Sequence, residues 1–323
     1  MNTAKSSTII IHMPYFLKIW SWAEEYLKDV IGVIYTLFKI LIPVIIVVKI
    51  LKELGFIHYL SMVLSPVMNL VGLPGEMGLV WATAIVTNLY AGAMVFLSLI
   101  PHIDLNIAQI TVLTTMMLIA HNLPVELKVT KEAGAGVFWI GSLRVLSALL
   151  LGIILFHIYR IGGWLQDAGL IPLGIELVDD SFKGWLSSQL KNLTLISLVI
   201  SFIILIMRVL ERIGVINIIT SILEPVLKIV GIKKASIPVV IVGLTLGIAY
   251  GGGLIIDEAK KGNIEREEIW ASLSFMSLSH ALIEDTLLMM VIGGHLSGIL
   301  FARLVYTFIV LYLVLKIKGK AVI

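Results

Sequence analysis

Long hydrophobic runs, separated by short polar breaks, make up most of this chain. A helix needs about 20 apolar residues to cross the hydrocarbon core of a bilayer, and several of the runs reach that length. The ten-residue alternation of a transmembrane barrel is missing, and isolated strands cannot satisfy their backbone groups in hydrocarbon. The pattern therefore predicts an all-α integral membrane protein.

The same pattern occurs twice, at a constant offset of 159 residues. LSPVMNLVGL at 64–73 aligns with LEPVLKIVGI at 223–232, and KELGFI at 52–57 aligns with ERIGVI at 211–216. Apolar runs match one another easily, so the evidence lies in the matched glycine, proline, histidine and arginine positions. The matched ionisable positions are His121 with His280, Glu126 with Asp285, and Arg144 with Arg303.

Each copy is predicted to contain a first span, a short amphipathic interfacial helix, a re-entrant hairpin and two further spans. The hairpins are expected at 77–100 and 236–256. The spans are expected at about 34–52, 106–130 and 135–159 in the first copy and at about 194–210, 267–290 and 295–315 in the second.

Lys and Arg residues predict how each copy is oriented, because they favour cytoplasmic loops. Both flanks of the second hairpin, 211–234 and 257–268, are rich in Lys and Arg, whereas the flanks of the first, 53–76 and 101–106, have none. The two hairpins should therefore enter the membrane from opposite faces. Each copy crosses three times in this interpretation, which gives two inverted-topology repeats and a cytoplasmic C-terminus.

Four regions are predicted from these patterns. An N-terminal amphipathic helix at 1–33 should lie in the interface, since one face carries Trp20 and Leu27 and the other Glu24 and Lys28. The first repeat is placed at 34–160, an extracytoplasmic linker at 161–190 and the second, inverted repeat at 191–323. The expected location is the cell membrane of a prokaryote, crossed many times.

Composition narrows the functional classes. With 59% hydrophobic and 14% charged residues the chain falls outside the range of soluble globular proteins, and a net charge of +3 gives no reason to expect nucleic acid. Zero cysteines exclude disulfides, thiolate metal sites and cysteine nucleophiles. Neither a P-loop, a nucleotide fingerprint nor a zinc-enzyme spacing is present, so no cofactor and no enzymatic activity are expected.

Small and polar residues interrupt both hairpins, in TNLYAGA at 87–93 and GIAYGGG at 247–253. Consecutive glycines weaken a helix and permit left-handed dihedral angles, which suits a hairpin tip that lines a cavity. Close helix packing through small residues is the alternative. The candidate binding residues here are Asn88, Tyr90, Tyr250, Gly251, Gly252 and Gly253.

The second group of candidates lies late in the fourth element of each copy, in HNLPVE at 121–126 and SHALIED at 279–285. Ionisable side chains inside a span usually serve function, although an interfacial position is the alternative. Pro124 favours an unwound stretch in the first copy. Such residues bind a solute, ligate a divalent ion or relay protons. The candidates are His121, Asn122, Glu126, His280, Glu284 and Asp285.

Two arginines in the last spans have a structural interpretation. Arg144 and Arg303 lie roughly nine residues into these spans, where an unpaired charge would be costly. We expect them to form buried ion pairs with Glu126 and Asp285 rather than to contact a substrate.

The order of these elements resembles a known family. LKELGFIHYLSMVLSPVMNLVGLPGE at 51–76, followed by the hairpin, resembles the Gate domain, also called the nucleoside recognition domain. This domain is shared by the ferrous iron transporter FeoB, spore maturation proteins A and B and, more remotely, concentrative nucleoside transporters. SHALIEDTLL at 279–288 resembles a stretch in prokaryotic stand-alone members. The chain lacks the hairpin cysteine and the GTPase domain of FeoB, so the resemblance does not imply iron transport.

The repeat and its polar residues predict a secondary transporter for a small polar solute, with nucleoside-like solutes and cations both open. Coupling to H⁺ or Na⁺ through Glu126, His280, Glu284 and Asp285 is compatible with the residue types. The alternative, implied by the resemblance to spore maturation proteins, is a membrane scaffold or assembly factor that transports nothing. The expected partners are the lipid bilayer, the solute and a coupling ion, and the chain is compatible with a homo-oligomer.

Overall fold

The computed structural model describes residues 15–169, 181–230, 232–233, 236–262 and 264–321, and the regular elements of these ranges are helices. A 3₁₀ turn at Ile100–His102 follows the fourth helix, and a π-helical stretch at Ser297–Ala302 leads into the last. The α-helices are α1 (Tyr15–Glu53), α2 (Phe56–Leu70), α3 (Glu76–Val86), α4 (Leu89–Leu99), α5 (Ile107–Ile119), α6 (Leu123–Glu132), α7 (Val137–Gly162), α8 (Phe182–Arg212), α9 (Val215–Val230), α10 (Ile237–Leu246), α11 (Ile248–Lys261), α12 (Arg266–Ser279), α13 (Glu284–Val291) and α14 (Arg303–Ala321).

Five helical segments in the described part of the chain are long and apolar enough to cross a membrane. Together with the absence of strands from the described ranges, they agree with the predicted all-α membrane protein. The segments are Trp20–Glu53, Ile107–Glu132, Val137–Gly162, Phe182–Arg212 and Ser297–Ile317.

The helices of the second half follow the order of the first half at the offset seen in the sequence. Helix α2 begins at Phe56 and α9 at Val215, which are 159 positions apart. The same offset relates the left-handed glycines that end equivalent helices, Gly55 with Gly214 and Gly134 with Gly293. Equivalent sequence positions therefore adopt equivalent backbone conformations.

Each predicted hairpin consists of two short helices that fold back on each other. A Cβ atom added at Gly251 in α11 would lie 2.5 Å from the Cα atom of Gly243 in α10. In a straight helix these residues would be about 12 Å apart, so the chain must reverse between them. The reversal occurs at Gly247, whose φ is 91°, and at Thr87–Asn88 in the first half.

The three consecutive glycines are not at the hairpin tip, contrary to the prediction. Gly251, Gly252 and Gly253 lie within α11 and have helical hydrogen bonding. Gly251 permits close packing on Gly243, and a Cβ atom at Gly252 would lie 2.3 Å from Cγ1 of Val129. Small residues are needed here because helices approach one another closely, which is the packing alternative.

The fourth element is a broken helix in both halves rather than a continuous span. Helix α5 ends at Ile119 and α12 at Ser279, before the segments that lead into α6 and α13. Asn122 and Ala281 adopt left-handed conformations with φ of 50° and 45°. Their backbone N–H groups donate to hairpin carbonyls, Asn122 to Ala84 at 2.9 Å and Ala281 to Gly243 at 3.3 Å. The hairpins thus stabilise both breaks.

The predicted boundaries of the N-terminal helix at 1–33 and of the linker at 161–190 do not coincide with breaks in the structure. Helix α1 continues through residue 33, because no proline lies near that position and Gly32 alone does not end a helix. Residues 1–14 of the predicted interfacial helix lie outside the described residues. Helix α8 begins at Phe182, inside the predicted linker 161–190, of which 170–180 are not described.

The two long helices α1 and α8 run antiparallel, and a contact between them has a symmetry-equivalent contact in which the two halves have exchanged roles. The Lys49 ammonium lies 5.5 Å from the ring centroid of Trp185, and the Arg208 guanidinium lies 5.9 Å from that of Tyr26. Lys49 is equivalent to Arg208 and Tyr26 to Trp185 at the offset of 159. Reciprocal contacts of this kind are expected where a two-fold axis relates two units.

The loop before α10 is fastened to the start of α12. Lys233 Nζ lies 2.7 Å from Oε2 of Glu265 and 3.1 Å from Oε1 of Glu268, and Ser236 also donates to Glu268 at 3.0 Å. The hydrogen bond from Lys233 lowers the pKa of Glu265 below its ordinary value. These contacts hold the second hairpin against the broken helix that carries His280.

Candidate functional site

The histidines at the two helix breaks meet in the protein interior. The Nε2 atoms of His121 and His280 lie 3.2 Å apart, and their ring centroids are 4.9 Å apart. The two residues are only 6% and 3% exposed, so the surrounding helices enclose both rings. The structure therefore brings together the two equivalent histidines that the sequence repeat identified.

Backbone carbonyls determine how the two rings are oriented. Nδ1 of His121 lies 2.9 Å from the carbonyl oxygen of Met117, and Nδ1 of His280 lies 2.9 Å from that of Met276. A carbonyl oxygen only accepts hydrogen bonds, so Nδ1 of each ring is the donor. In a neutral ring Nε2 then carries a lone pair, and the two lone pairs face each other.

Two buried carboxylates lie beside the histidine pair. Oε1 of Glu126 lies 3.6 Å from Nε2 of His121 and 3.5 Å from Nε2 of His280. Oδ2 of Asp285 lies 3.8 Å and 4.0 Å from the same two nitrogen atoms. Neither oxygen has a hydrogen-bond donor among the described residues. Both carboxylates thus lie beside the histidine pair, and the four residues are here called the central cluster: His121, His280, Glu126 and Asp285.

One arginine forms the expected ion pair and its equivalent does not. Arg144 is bonded to the second oxygen of Glu126, Oε2, and donates to the carbonyl of Ile119 at 2.7 Å. Arg303 instead donates to the carbonyls of Leu278 at 3.0 Å and His280 at 2.7 Å. The predicted Arg303–Asp285 pair is absent because aspartate is one methylene shorter than glutamate, while the helix break leaves carbonyls for Arg303 to bind.

A cavity of about 820 Å³ lies beside Glu284, the residue before Asp285 of the central cluster. Glu284 lines it, accepts a hydrogen bond of 3.3 Å from the hydroxyl of Tyr90, and precedes Asp285 in the first turn of α13. Most of the polar lining comes from α1 and α8, and it includes an ion pair between Asp29 and Arg208. The other polar and charged residues lining the cavity are Trp22, Glu25, Glu211 and Arg212.

These α1 and α8 residues were missed as site candidates from the sequence. Glu25 and Asp29 lie in the region 1–33 that was predicted as an interfacial helix, and Arg208 lies near the end of the span predicted at about 194–210. The signal that would have found them is the repeat itself. It pairs Arg208 with Lys49, so that each half has a basic residue late in its first span.

The remaining predicted residues have mainly structural contacts. The side chain of Asn88 accepts a hydrogen bond of 2.9 Å from the backbone of Ala91 and thereby caps α4. Asn122 contributes the left-handed turn at the helix break. Tyr250 lies in the first turn of α11, but its side chain is outside the described part of the chain.

The comparisons with known proteins agree with a membrane protein. The chain is 28% identical over 264 residues to a Bacillus subtilis (strain 168) protein named "Uncharacterized membrane protein YvoD". The aligned region covers 80% of this chain and 83% of that protein. Neither a family model nor a solved structure matches the chain. Taken with the five apolar helical segments, the likeness makes this chain an α-helical membrane protein with several candidate spans.

Proposed function

We propose that the chain is a secondary transporter built from two repeats of inverted topology, and that the central cluster binds the transported solute or its coupling ion. The observation that carries the proposal is the contact of His121 with His280 at 3.2 Å, with Glu126 and Asp285 beside them. Buried ionisable groups in a membrane protein are costly, and they usually mark a transport pathway.

The inverted arrangement is supported by the antiparallel packing of α1 and α8. Two equivalent helices run antiparallel when the two-fold axis that relates them is perpendicular to both. If the helices cross the membrane, such an axis lies in the membrane plane. A second pair of symmetry-equivalent contacts agrees with this axis. Trp139 stacks on Trp270 at 5.4 Å, and their equivalents Gly298 and Thr111 are also in contact. The Lys and Arg distribution independently favours inversion.

The hairpins have the length of re-entrant elements. Helices α3 and α4 contain 11 residues each, or about 16 Å at 1.5 Å per residue. This is about half of the roughly 30 Å hydrocarbon thickness, so each arm reaches the middle of the membrane. The tips then lie at the depth of the broken helices, to which Ala84 and Gly243 are hydrogen-bonded.

Discontinuous helices at mid-membrane are the sites where many secondary transporters bind their solutes. Unwound backbone in such proteins is tolerated where it lines a cavity or is buried in protein. The breaks at Asn122 and Ala281 meet this condition, because they adjoin the central cluster and are bonded to the hairpins. The order of these elements also resembles that of the Gate domain, and this resemblance is part of the support for the proposal.

The cavity beside Glu284 supplies an access route in this proposal. Glu284 and Tyr90 line the cavity, while the adjacent Asp285 belongs to the buried central cluster. A polar solute or ion that enters the cavity therefore meets a carboxylate at its base before it reaches the histidines. Alternating access would require an equivalent opening on the other side of the cluster after the halves move relative to each other.

Uptake into proteoliposomes tests the proposal. The purified chain would be reconstituted with an imposed H⁺ or Na⁺ gradient and offered nucleosides, amino acids, organic acids and divalent metal ions. We expect gradient-dependent uptake of one class, lost in Asp285→Asn and retained in His157→Ala, which removes an exposed histidine of α7. No uptake of any class by the folded protein would contradict transport and favour the scaffold function.

A further inference from the structure

We propose that the central cluster is a binding site for a divalent first-row transition-metal ion, with Nε2 of His121, Nε2 of His280 and Oε1 of Glu126 as ligands and Asp285 beside them. This inference rests on the proposed function for the role of the ion as transported solute or coupling ion. Metal binding itself rests on the geometry of the cluster alone.

The separations of three atoms of the cluster match those around a tetrahedral metal ion. Metal bonds of about 2.1 Å place tetrahedral ligand atoms about 3.4 Å apart. The two histidine nitrogens are 3.2 Å apart, and Glu126 lies 3.5 Å and 3.6 Å from them. Among the described residues, the ligand atoms of His121, Glu126 and His280 all lie within 4.8 Å of one another, and Asp285 stays outside this group. Its Oδ2 atom lies 3.8 Å and 4.0 Å from the two nitrogens. The fourth position of the tetrahedron is therefore left to an exchangeable ligand.

Two oxygen atoms of the cluster lack a hydrogen-bond partner. Oε1 of Glu126 and Oδ2 of Asp285 are buried without a hydrogen bond in the described structure, and the two Nε2 atoms lie 3.2 Å from each other. Buried polar atoms without partners are rare and need an explanation. A cation bound between His121, His280 and Glu126 satisfies Oε1 of Glu126 and both nitrogen atoms at once, and it lies close to the Asp285 carboxylate.

Second hydrogen bonds orient the ligand side chains, as is usual for metal ligands. Histidine ligands commonly donate their second N–H group to a carbonyl or carboxylate, which fixes the ring. Both histidines do so here, through the carbonyls of Met117 and Met276. Glu126 is likewise oriented by Arg144, which holds Oε2 and leaves Oε1 directed at the cluster. The positions of three ligands are therefore fixed without the metal.

The ligand types determine the class of ion. Imidazole and carboxylate together suit Zn²⁺, Co²⁺, Ni²⁺ or Fe²⁺, whereas Mg²⁺ and Ca²⁺ prefer oxygen ligands in larger numbers. Sodium is disfavoured for the same reason. The ligands come from both halves of the chain, so movement of the halves would disrupt the site. That property suits an ion that must be released as well as bound.

The arginines limit the affinity of the site. Arg144 and Arg303 are fully buried near the carboxylates, so their charges offset those of Glu126 and Asp285. A divalent ion therefore enters a cluster of nearly zero net charge rather than a strongly negative one. Weakened binding of this kind agrees with a carrier site, from which the ion has to leave again.

Cobalt titration of the purified full-length chain tests the proposal directly. The protein would carry an affinity tag without histidines, and Co²⁺ would report ligand geometry through its visible absorption. We expect one saturable site per chain with tetrahedral absorption, displaced by Zn²⁺ and unaffected by excess Mg²⁺. His121→Ala and His280→Ala should each weaken binding more than the roughly 10–100-fold typical of losing an outer-shell partner.

His157→Ala is the matched control. Nδ1 of His157 makes the same 2.9 Å contact with the carbonyl four residues earlier, but the residue is exposed and outside the cluster. It should bind Co²⁺ as the original chain does. If the cluster variants fail to fold, X-ray absorption of the zinc-loaded original chain decides: two imidazole ligands support the site, and a shell of oxygen alone overturns it.

The metal-binding experiment and the uptake experiment test the two proposals independently of each other. A folded chain that binds no Co²⁺ or Zn²⁺, or that binds them equally well in the double variant of His121 and His280, overturns the metal site even if another solute is transported. A chain that binds the metal at these residues but moves no solute retains the metal site and contradicts the transporter function.

Discussion

Nε2 of His121 lies 3.2 Å from Nε2 of His280, although 159 residues separate them in the chain. This separation is also the offset of the internal repeat, so each histidine contacts its own equivalent in the other half. Self-equivalent contacts occur where a two-fold axis passes through a structure. The central cluster therefore lies at the junction of the two halves, where a movement of one half against the other changes its geometry.

The close contact between Gly243 and Gly251 predicts a strong effect of a single methyl group. In Gly251→Ala the new Cβ atom would lie 2.5 Å from the Cα atom of Gly243, so α10 and α11 must separate. We expect a loss of about 1–3 kcal/mol in unfolding free energy, measured as a lower thermal midpoint in detergent.

Gly253→Ala is the control, because in the described part of the chain no atom outside the backbone of the same helix lies within 4 Å of a Cβ atom at that position. It should be neutral or slightly stabilising, since alanine favours a helix over glycine by about 0.5–1 kcal/mol. Equal effects of the two substitutions would contradict the fold-back of the hairpin, because a straight helix places Gly251 far from Gly243.

The buried pair of Arg144 and Glu126 predicts non-additive substitutions. Arg144→Leu leaves the Glu126 carboxylate unpaired in the interior and should cost about 3–5 kcal/mol, whereas the exposed Arg160→Leu on the same helix should cost less than about 1 kcal/mol. Adding Glu126→Leu to Arg144→Leu should restore part of the loss. A thermal double-mutant cycle measures the coupling, and strictly additive effects would show that the pair is not formed.

Neighbouring positions in α13 should differ in their access to water. Glu284 lines the 820 Å³ cavity, whereas Asp285 is buried beside the histidines. The chain has no native cysteine, so single substitutions can be labelled without further changes. Glu284→Cys should react with a small polar thiol reagent much faster than Asp285→Cys. Similar rates for two variants with intact melting behaviour would contradict the proposed access route.

Much of the site was predictable because duplicated chemistry is visible in a sequence. The repeat identified His121 with His280, and a buried arginine requires an acidic partner, which identified Arg144 with Glu126. The repeat did not predict that Arg303 binds carbonyls instead of Asp285. That difference depends on one methylene group and on carbonyls that become available only when the helix is broken.

The helix break at Ala281 illustrates what local sequence does not encode. In the first half, Asn122 and Pro124 are residue types that favour a turn, and a break was expected there. The second half has no such residues, yet Ala281 adopts a left-handed conformation. Its N–H group and that of Leu282 bond to the carbonyls of Gly243 and Leu244. Tertiary hydrogen bonds thus override the local helix preference.

The glycine cluster was misplaced for a related reason. Consecutive glycines at 251–253 favour a turn or a close helix contact equally well when only the sequence is considered. The turn occurs instead at Gly247, four residues earlier than Gly251. The structure distinguishes the alternatives because Gly251 faces Gly243 across the hairpin.

The sidedness of Glu53 and Arg212 tests the inverted architecture most directly. These exposed residues end the equivalent helices α1 and α8. Glu53→Cys and Arg212→Cys, each the single cysteine of its variant, would be treated with a membrane-impermeant maleimide in intact cells and in inside-out vesicles. Inverted repeats predict labelling of Glu53→Cys from outside and of Arg212→Cys only from the cytoplasmic side. Labelling of both from the same side would contradict the inversion and the transport mechanism based on it.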